Sequence, residues 1–373
     1  METKLLNGNN KEAIAEASKI LQDGGLVAFP TETVYGLGAD ALNADAAAKI
    51  YAAKGRPSDN PLIVHIADTD AVEKLADLET MNRTHPDMVK KAYMLMEAFW
   101  PGPLTIIFPK LAIVPDGTTG GLPTVAIRMP SHPIAQELIR TSGVSIAAPS
   151  ANTSGRPSPT TAQHVWEDMD GRIEMILDGG AVGIGIESTI VDMTGTIPTI
   201  LRPGFITKTM LSEIVGDVTI DPAIIEPDPN LRPKAPGMKY THYAPHGTLS
   251  IVEAVADESA NRASLHSGVK VSYNATEAET LRVAEKIKAL VNEKEAQGYK
   301  VAILTTKEHA SLYKNYSHVL IVGEGSKGQT ISARLYAALR ECDSEQMEYM
   351  YSEAFDQNEL GGAIMNRLLK AAG

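Results

Sequence analysis

The sequence predicts an α/β protein in two parts: a twisted mixed sheet with helices over residues 1–220, and a smaller Rossmann-like α/β domain over 248–373. Three observations lead there. Short β-branched runs alternate with helical patterns through the first two-thirds of the chain. Several of those runs follow one another with no helix between, which favours a mixed sheet over a simple doubly wound one. After a proline-rich stretch the pattern becomes regular βαβ.

In the first part, residues 26–30, 61–67, 104–110, 124–129, 144–150, 173–179 and 188–193 read as strands. Helical patterns fall at 10–22, 44–54, 69–76, 86–99, 132–142, 161–169 and 207–215. Asn43 and Thr207 are suitable N-caps, and Gly55 and Gly143 suitable helix stops. Residues 221–247 form a linker: the stretch 221–245 holds six prolines and shows neither period. A connection this long is usually functional or disordered. Strands are then expected at TLSIVEA, VKVSYN, KVAILTT and HVLIVG, and helices at 257–266, 276–297, 307–314, 329–342 and 361–372.

A chain of 373 residues exceeds one ordinary core, and 43% hydrophobic with 21% charged residues lets both parts bury one. The opening METKLLNGNNKEAI has no apolar h-region, so no signal peptide is read. No apolar run reaches the ~18 residues of a membrane span. The lone Cys342 has no internal disulfide partner and sits in a helical pattern, as a buried thiol would. These points predict a cytoplasmic protein. The net charge is −12, and residues 1–221 hold 17 Lys and Arg against 27 Asp and Glu, a balance of −10. An acidic body is poorly suited to general nucleic-acid binding, which runs on neutralised phosphates, although a basic cleft within it remains open.

Three loops carry candidate chemistry. PTETVYGLGAD (30–40) offers the hydroxyls of Thr31, Thr33 and Tyr35 before two glycines that let backbone approach a ligand; it also reads as a plain strand–turn signal. In AKGRPSDNP (53–61), Lys54 and Arg56 flank a helix-ending glycine. The pair suits a polyphosphate, with Arg as a planar fork and Lys as a mobile point charge, or it merely offsets the helix dipole. Asn60 could add an amide to ribose or base. APSANTSGRPSPT (148–160) crowds Ser150, Asn152, Thr153, Ser154 and Ser158 behind an apolar strand, as a phosphate-hugging loop would.

Thr124 and Arg128 lie four apart on one strand and share a face. Arg128, flanked by Ile127 and Met129, is expected to be buried with an anionic partner. His65, inside PLIVHIA, reads first as a core histidine. Ser188 and Arg202 complete the set. GxxxxGK[ST], HExxH, CxxC and GxSxG are all absent. GEGSKG (323–328) matches GxGxxG, but no acidic strand-end residue follows, so it is not read as a dinucleotide site. Pro245 between His242 and His246 breaks the helix that would align them on a metal.

Together, PTETVYGLGAD, KGRPSDNPLIVHI, WPGPLTIIF, TVAIRMPSHPIA, APSANTSGRPSPT, ESTIVD, LRPG and APGMKYTHYAP resemble the YrdC-domain family, in its long two-domain form. The resemblance runs from residue 20 to 246; beyond that it rests on length and pattern. It implies a YrdC-like first domain that makes threonylcarbamoyl-adenylate and pyrophosphate from L-threonine, bicarbonate and ATP, with magnesium. The product would supply partner proteins, tRNA-threonylcarbamoyl transferases. It further implies that Thr33, His65, Arg128, Ala148 (through its backbone) and Ser188 hold threonine. Lys54, Arg56, Asn60, Thr124, Ser150, Asn152, Ser158 and Arg202 would hold ATP, with Tyr240 of the linker closing over it. No protein side chain is expected to form a metal site of its own. The alternative reading is an RNA-binding or ribosome-associated module using the same basic cleft, against which the −10 balance weighs.

Overall fold

Apolar side chains repeat with a period of two along the strands and close to 3.6 along the helices, and those two periods assemble the layers. The computed structural model describes residues 1–224, 234–236, 243–254, 263–265, 276–355 and 359–373. The chain gathers into two units, Met1–Ser154 with Ser158–Tyr240, and Gly155–Pro157 with Thr241–Gly373. Tyr240, the strand expected at VKVSYN and most of the helix expected at 257–266 lie outside the described residues.

The first unit's described strands are β1 (Lys4–Asn7), β2 (Val27–Phe29), β3 (Gly36–Asp40), β4 (Ile63–His65), β5 (Leu104–Pro109), β6 (Thr124–Arg128), β7 (Ile146–Ala148), β8 (Met175–Asp178), β9 (Thr189–Asp192), β10 (Thr199–Arg202) and β11 (Thr219–Ile220). They form one sheet in the order β1-β8-β2-β3-β7-β4-β6-β5-β9-β10-β11. The sheet is mixed, as expected: β4 and β6 run parallel, while β7 lies antiparallel to β4 and β5 antiparallel to β6.

Its helices are α1 (Lys11–Gln22), α2 (Ala44–Lys54), α3 (Leu78–Thr84), α4 (Pro86–Phe99), α5 (Asp116–Thr119), α6 (Pro133–Ser142), α7 (Ala162–Met169) and α8 (Lys208–Val215). One sheet face presents Leu37, Val64, Ile106 and Ile127 to Ile50 of α2, Leu95 of α4 and Val165 of α7. The other face is divided. Val27, Phe29, Ile146 and Ala148 pack under Ile14 of α1 and Leu138 of α6. Ile63, Ile107, Ala126, Ile190 and Leu201 instead meet Ala235 of the linker. Each fully buried Leu or Ile is worth ~1.5–3 kcal/mol. An exposed pair such as Lys19–Asp23 contributes about 1 kcal/mol or less, so these apolar layers set the fold.

The expected caps are present. Asn43 accepts from the amides of Asp45 and Ala46, and Gly55, at φ 63°, ends α2 in the left-handed region that favours glycine. Thr207 caps α8, and Gly143 ends α6 at φ 68°. The segment 69–76 is a 3₁₀ helix over Thr69–Lys74 rather than an α-helix. Residues 36–40, read as loop, are strand β3. That strand has no β-branched residue to announce it, because a Cβ at Gly38 would stand 2.7 Å from Ile146 Cγ2 and 2.8 Å from Phe29 Cε1.

The second unit holds β12 (Thr248–Ala254), β13 (Ala263–Leu265), β14 (Val301–Thr306), β15 (Val319–Gly323) and β16 (Tyr349–Glu353), ordered β13-β12-β16-β14-β15. All neighbours are parallel except β13 against β12. Its helices are α9 (Glu277–Ala296), α10 (Gly328–Ser344) and α11 (Leu360–Ala372), so the Rossmann-like expectation holds. Residues 263–265 are strand where a helix was expected, and residues 310–313 form a 3₁₀ turn. Cys342 is buried in α10, and burial pushes its thiol up to about 12. In the GEGSKG loop, Glu324 pairs with Lys327 at 2.7 Å and Lys307 at 3.4 Å. Among the described residues no helix is long and apolar enough to cross a membrane.

Candidate functional site

Cross-strand register collects polar residues on the face shared by α1, α6 and the linker. Directly paired residues share a face. His65 pairs with Arg128, Arg128 with Thr105, Thr105 with Ile190, and Ile190 with Arg202. The result is a row across β4, β6, β5, β9 and β10. The next row is apolar: Ala148, Ile63, Ala126 and Ile107. The polar row therefore stands on the same face that Ala235 covers.

Arg128 anchors the row. It is 4% exposed and donates from Nε to Gly102 O (3.3 Å), from Nη1 to Thr33 Oγ1 (2.9 Å) and from Nη2 to Glu32 Oε1 (2.6 Å). The anionic partner expected for Arg128 is thus the chain's own Glu32, whose other oxygen accepts from the Ser131 amide at 3.1 Å. Thr33 is fully buried and also bonds Thr31 Oγ1 at 2.8 Å. His65, 3% exposed, has Nδ1 3.0 Å from Ile63 O and its ring edge-on to Phe29. Burial first, and Arg128 second, push His65 down to about 3, so it brings no positive charge to the face.

At the other end of the row, Arg202 donates from Nε to Ser188 O and from Nη2 to Ser188 Oγ, both at 3.1 Å. Ser188 Oγ lies 2.8 Å from Thr105 Oγ1. Arg202 Nη1 reaches Pro236 O in the linker at 3.4 Å. The family resemblance groups Arg202 with Lys54 and Arg56; its described hydrogen bonds run to Ser188 and to Pro236 O.

A second group lies beyond one end of the central strands. Asn60 precedes β4, Thr124 opens the parallel β6, and Ser150 follows the antiparallel β7. Lys54, the last residue of α2, is 1% exposed and donates to Ser150 O at 2.6 Å and to Asn152 O. It is not the mobile point charge that its spacing suggested: the ammonium is fixed against loop carbonyls and lends that loop its positive potential. Ser150 Oγ donates to Asn152 Oδ1 at 2.5 Å. Arg56 donates to Asn60 O (3.2 Å) and Pro61 O (3.1 Å). Asn60 itself is 1% exposed, and its Oδ1 is buried with no hydrogen-bond partner. Such an atom costs ~1–3 kcal/mol if left unsatisfied.

Ser158, fully buried, donates to Glu187 Oε1 at 2.6 Å. Glu32, Thr105 and Glu187 are the residues here that motif reading passed over. Glu32 and Glu187 stand inside PTETV and GIEST, where nothing in spacing says which way a carboxylate turns.

Known protein families match both parts of the chain. Residues 19–204 match the Sua5/YciO/YrdC family, described as Telomere recombination, and residues 206–373 match the family described as Threonylcarbamoyl-AMP synthase, C-terminal domain. The chain is 46% identical over 365 residues to the threonylcarbamoyl-AMP synthase of Bacillus subtilis, covering 98% of this chain and 94% of that one. It is 41% identical over 370 residues to the Pyrococcus abyssi enzyme of the same name, covering 98% and 97%. The crystal structure of P. abyssi Sua5 complexed with L-threonine is similar at a TM-score of 0.84 and 40% identity, over 100% of this chain and 98% of that chain.

Proposed function

The chain belongs to the threonylcarbamoyl-AMP synthase family, and from that premise we propose how its first unit divides the reaction. L-Threonine, bicarbonate and ATP give threonylcarbamoyl-adenylate and pyrophosphate. Threonine's amine becomes a carbamate, a carbamate oxygen bonds to the α-phosphorus, and the bond to pyrophosphate breaks. Such a transfer needs positioning and charge neutralisation more than a covalent nucleophile. A cleft of Lys, Arg and hydroxyls without a triad suits it.

The reading rests above all on the polar row: two guanidinium groups, Arg128 and Arg202, stand on one face that the linker also reaches. Threonine's carboxylate takes the remaining N–H groups of Arg128, beside Thr33, His65, Ser188 and the backbone of Ala148. ATP lies along Lys54, Arg56, Asn60, Thr124, Ser150, Asn152, Ser158 and Arg202, with the buried Asn60 Oδ1 accepting from the nucleotide. Among the described residues no group of three or more His, Cys, Asp or Glu could cage a metal. Magnesium would arrive on the phosphates, and the oxygen donors Ser158 and Glu187 are of the hard kind it prefers. Ala235 is packed on the ligand face and Pro236 is bonded by Arg202, which supports the linker, with Tyr240, as the cover over the nucleotide. The reaction belongs in the cytoplasm, where the activated product passes to partner transferases that modify an adenosine of tRNA.

Arg56→Ala tests the division. Its KM for ATP should rise at least about tenfold, the loss of one charge-assisted contact, with threonine affinity and melting temperature nearly unchanged. A variant that simply unfolds would make Arg56 a structural residue.

A further inference from the structure

We propose that Glu32 is the residue that recognises the substrate's α-amino group, so that the Glu32–Arg128 pair reads the whole zwitterionic head of an amino acid. This rests on the reading of Arg128 as the carboxylate anchor.

A guanidinium has five N–H groups. Three of Arg128's are directed at Gly102 O, Thr33 Oγ1 and Glu32 Oε1, leaving one each on Nη1 and Nη2. Each oxygen of Glu32 has one hydrogen bond, from Arg128 Nη2 and from the Ser131 amide, and a carboxylate oxygen can accept two. The Glu32 side chain is 15% exposed against 4% for Arg128, so the carboxylate is the more open of the two. An amino acid carries its charges in the opposite sense, on groups separated by a single carbon. A carboxylate and a guanidinium in contact at 2.6 Å therefore match an ammonium and a carboxylate in both sign and spacing.

Charge balance points the same way. With Glu32 the face is neutral at Arg128 before substrate arrives, and a neutral zwitterion keeps it so. A carboxylate arriving without an ammonium would put two anions on one buried cation, which low-dielectric surroundings penalise. Such a filter keeps the site free, because a 2-hydroxy acid in this position has no amine to form a carbamate and would only occupy it.

The test is calorimetric binding to the full-length protein of three ligands: L-threonine, its 2-hydroxy analogue (2,3-dihydroxybutanoate of the same configuration), and L-threoninamide. Wild type should prefer threonine over the hydroxy analogue. Glu32→Gln should weaken threonine by about tenfold or more, the scale of one hydrogen bond to a charged group, while leaving the hydroxy analogue within about twofold or better bound, so that the preference collapses. Equal weakening of both ligands would overturn the proposal, since Glu32 would then only prop Arg128. Tighter threonine binding would overturn it too, since Glu32 would be a competitor for Arg128. If E32Q does not fold, Glu32→Asp reads the same ratio, its shorter carboxylate keeping the charge but withdrawing from the ammonium; an unchanged ratio there rejects the proposal. Threoninamide isolates the premise: wild type binding it as tightly as threonine would refute the Arg128 anchor, whatever Glu32 does.

Discussion

At the scale of single residues, the account depends on a cation that is buried because it is paired. Removing Arg128 leaves Glu32 without its counter-charge. Arg128→Ala should therefore cost about 3–5 kcal/mol of stability in urea unfolding and should abolish measurable threonine binding. Adding Glu32→Gln should recover part of the stability and none of the binding. A single variant as stable as wild type would show that the pair is not desolvated as described.

His65 gives a pH dependence. Its folded pKa, about 3, lies below the ordinary 6.5, held there by burial and then by Arg128. Between those values the unfolded chain binds the extra proton. The contribution of His65 to stability is thus whole above pH 6.5 and is lost progressively as pH falls toward about 3. His65→Asn should lose less stability than wild type between about pH 7 and pH 5, measured by urea unfolding at each pH. Parallel curves would mean that His65 titrates alike in the folded and unfolded chain, contrary to its burial. Of these residues, the sequence made Arg128 legible as a buried cation, because apolar runs on both sides of it mark a strand in the sheet's interior, buried on both faces. Glu32 was not legible: its direction is fixed by the fold of loop 30–35 and by the Ser131 amide, 99 positions away.

At the scale of elements, α2 delivers Lys54 and Arg56 to opposite sides of Gly55. The glycine adopts φ 63° with nothing within 4 Å of a Cβ position, so a substitution there is opposed by backbone strain and not by a clash. Gly55→Ala should lower stability by about 1–2 kcal/mol with threonine affinity intact; a stability unchanged within error would place α2's end in another conformation. The linker makes a separate expectation. Ala235 is fully buried against Ile63, Ile107, Ala126, Ile190 and Leu201, and Ala235→Asp would put a charge into that apolar contact. The KM for ATP should rise severalfold while the hydroxy-acid discrimination stays; an unaltered KM would reject the linker as a cover.

Elements with strong periods or caps, such as α2, α4, β5 and β6, were readable to within a few residues. β3 and the central β16 were not. Close packing demands a glycine at Gly38 of β3, and YMYSE of β16 owes its state to the parallel strands on either side.

At the scale of the whole molecule, the two-part organisation was readable because the hydrophobic pattern changes across a proline-rich stretch. The net charge of −12 also separates the functional alternatives, since a synthase hands on a small product whereas an RNA-binding module must hold a polyanion. The gathering of Arg128, His65, Thr105 and Arg202 into one row was beyond sequence reasoning, because it follows from strand order and register. The most direct measurement is pyrophosphate release by the purified protein given ATP, bicarbonate and magnesium, with and without L-threonine. The account predicts release that depends on threonine and bicarbonate together, and on Arg128. Pyrophosphate release indifferent to threonine, or none at all alongside tight salt-sensitive RNA binding, would contradict it.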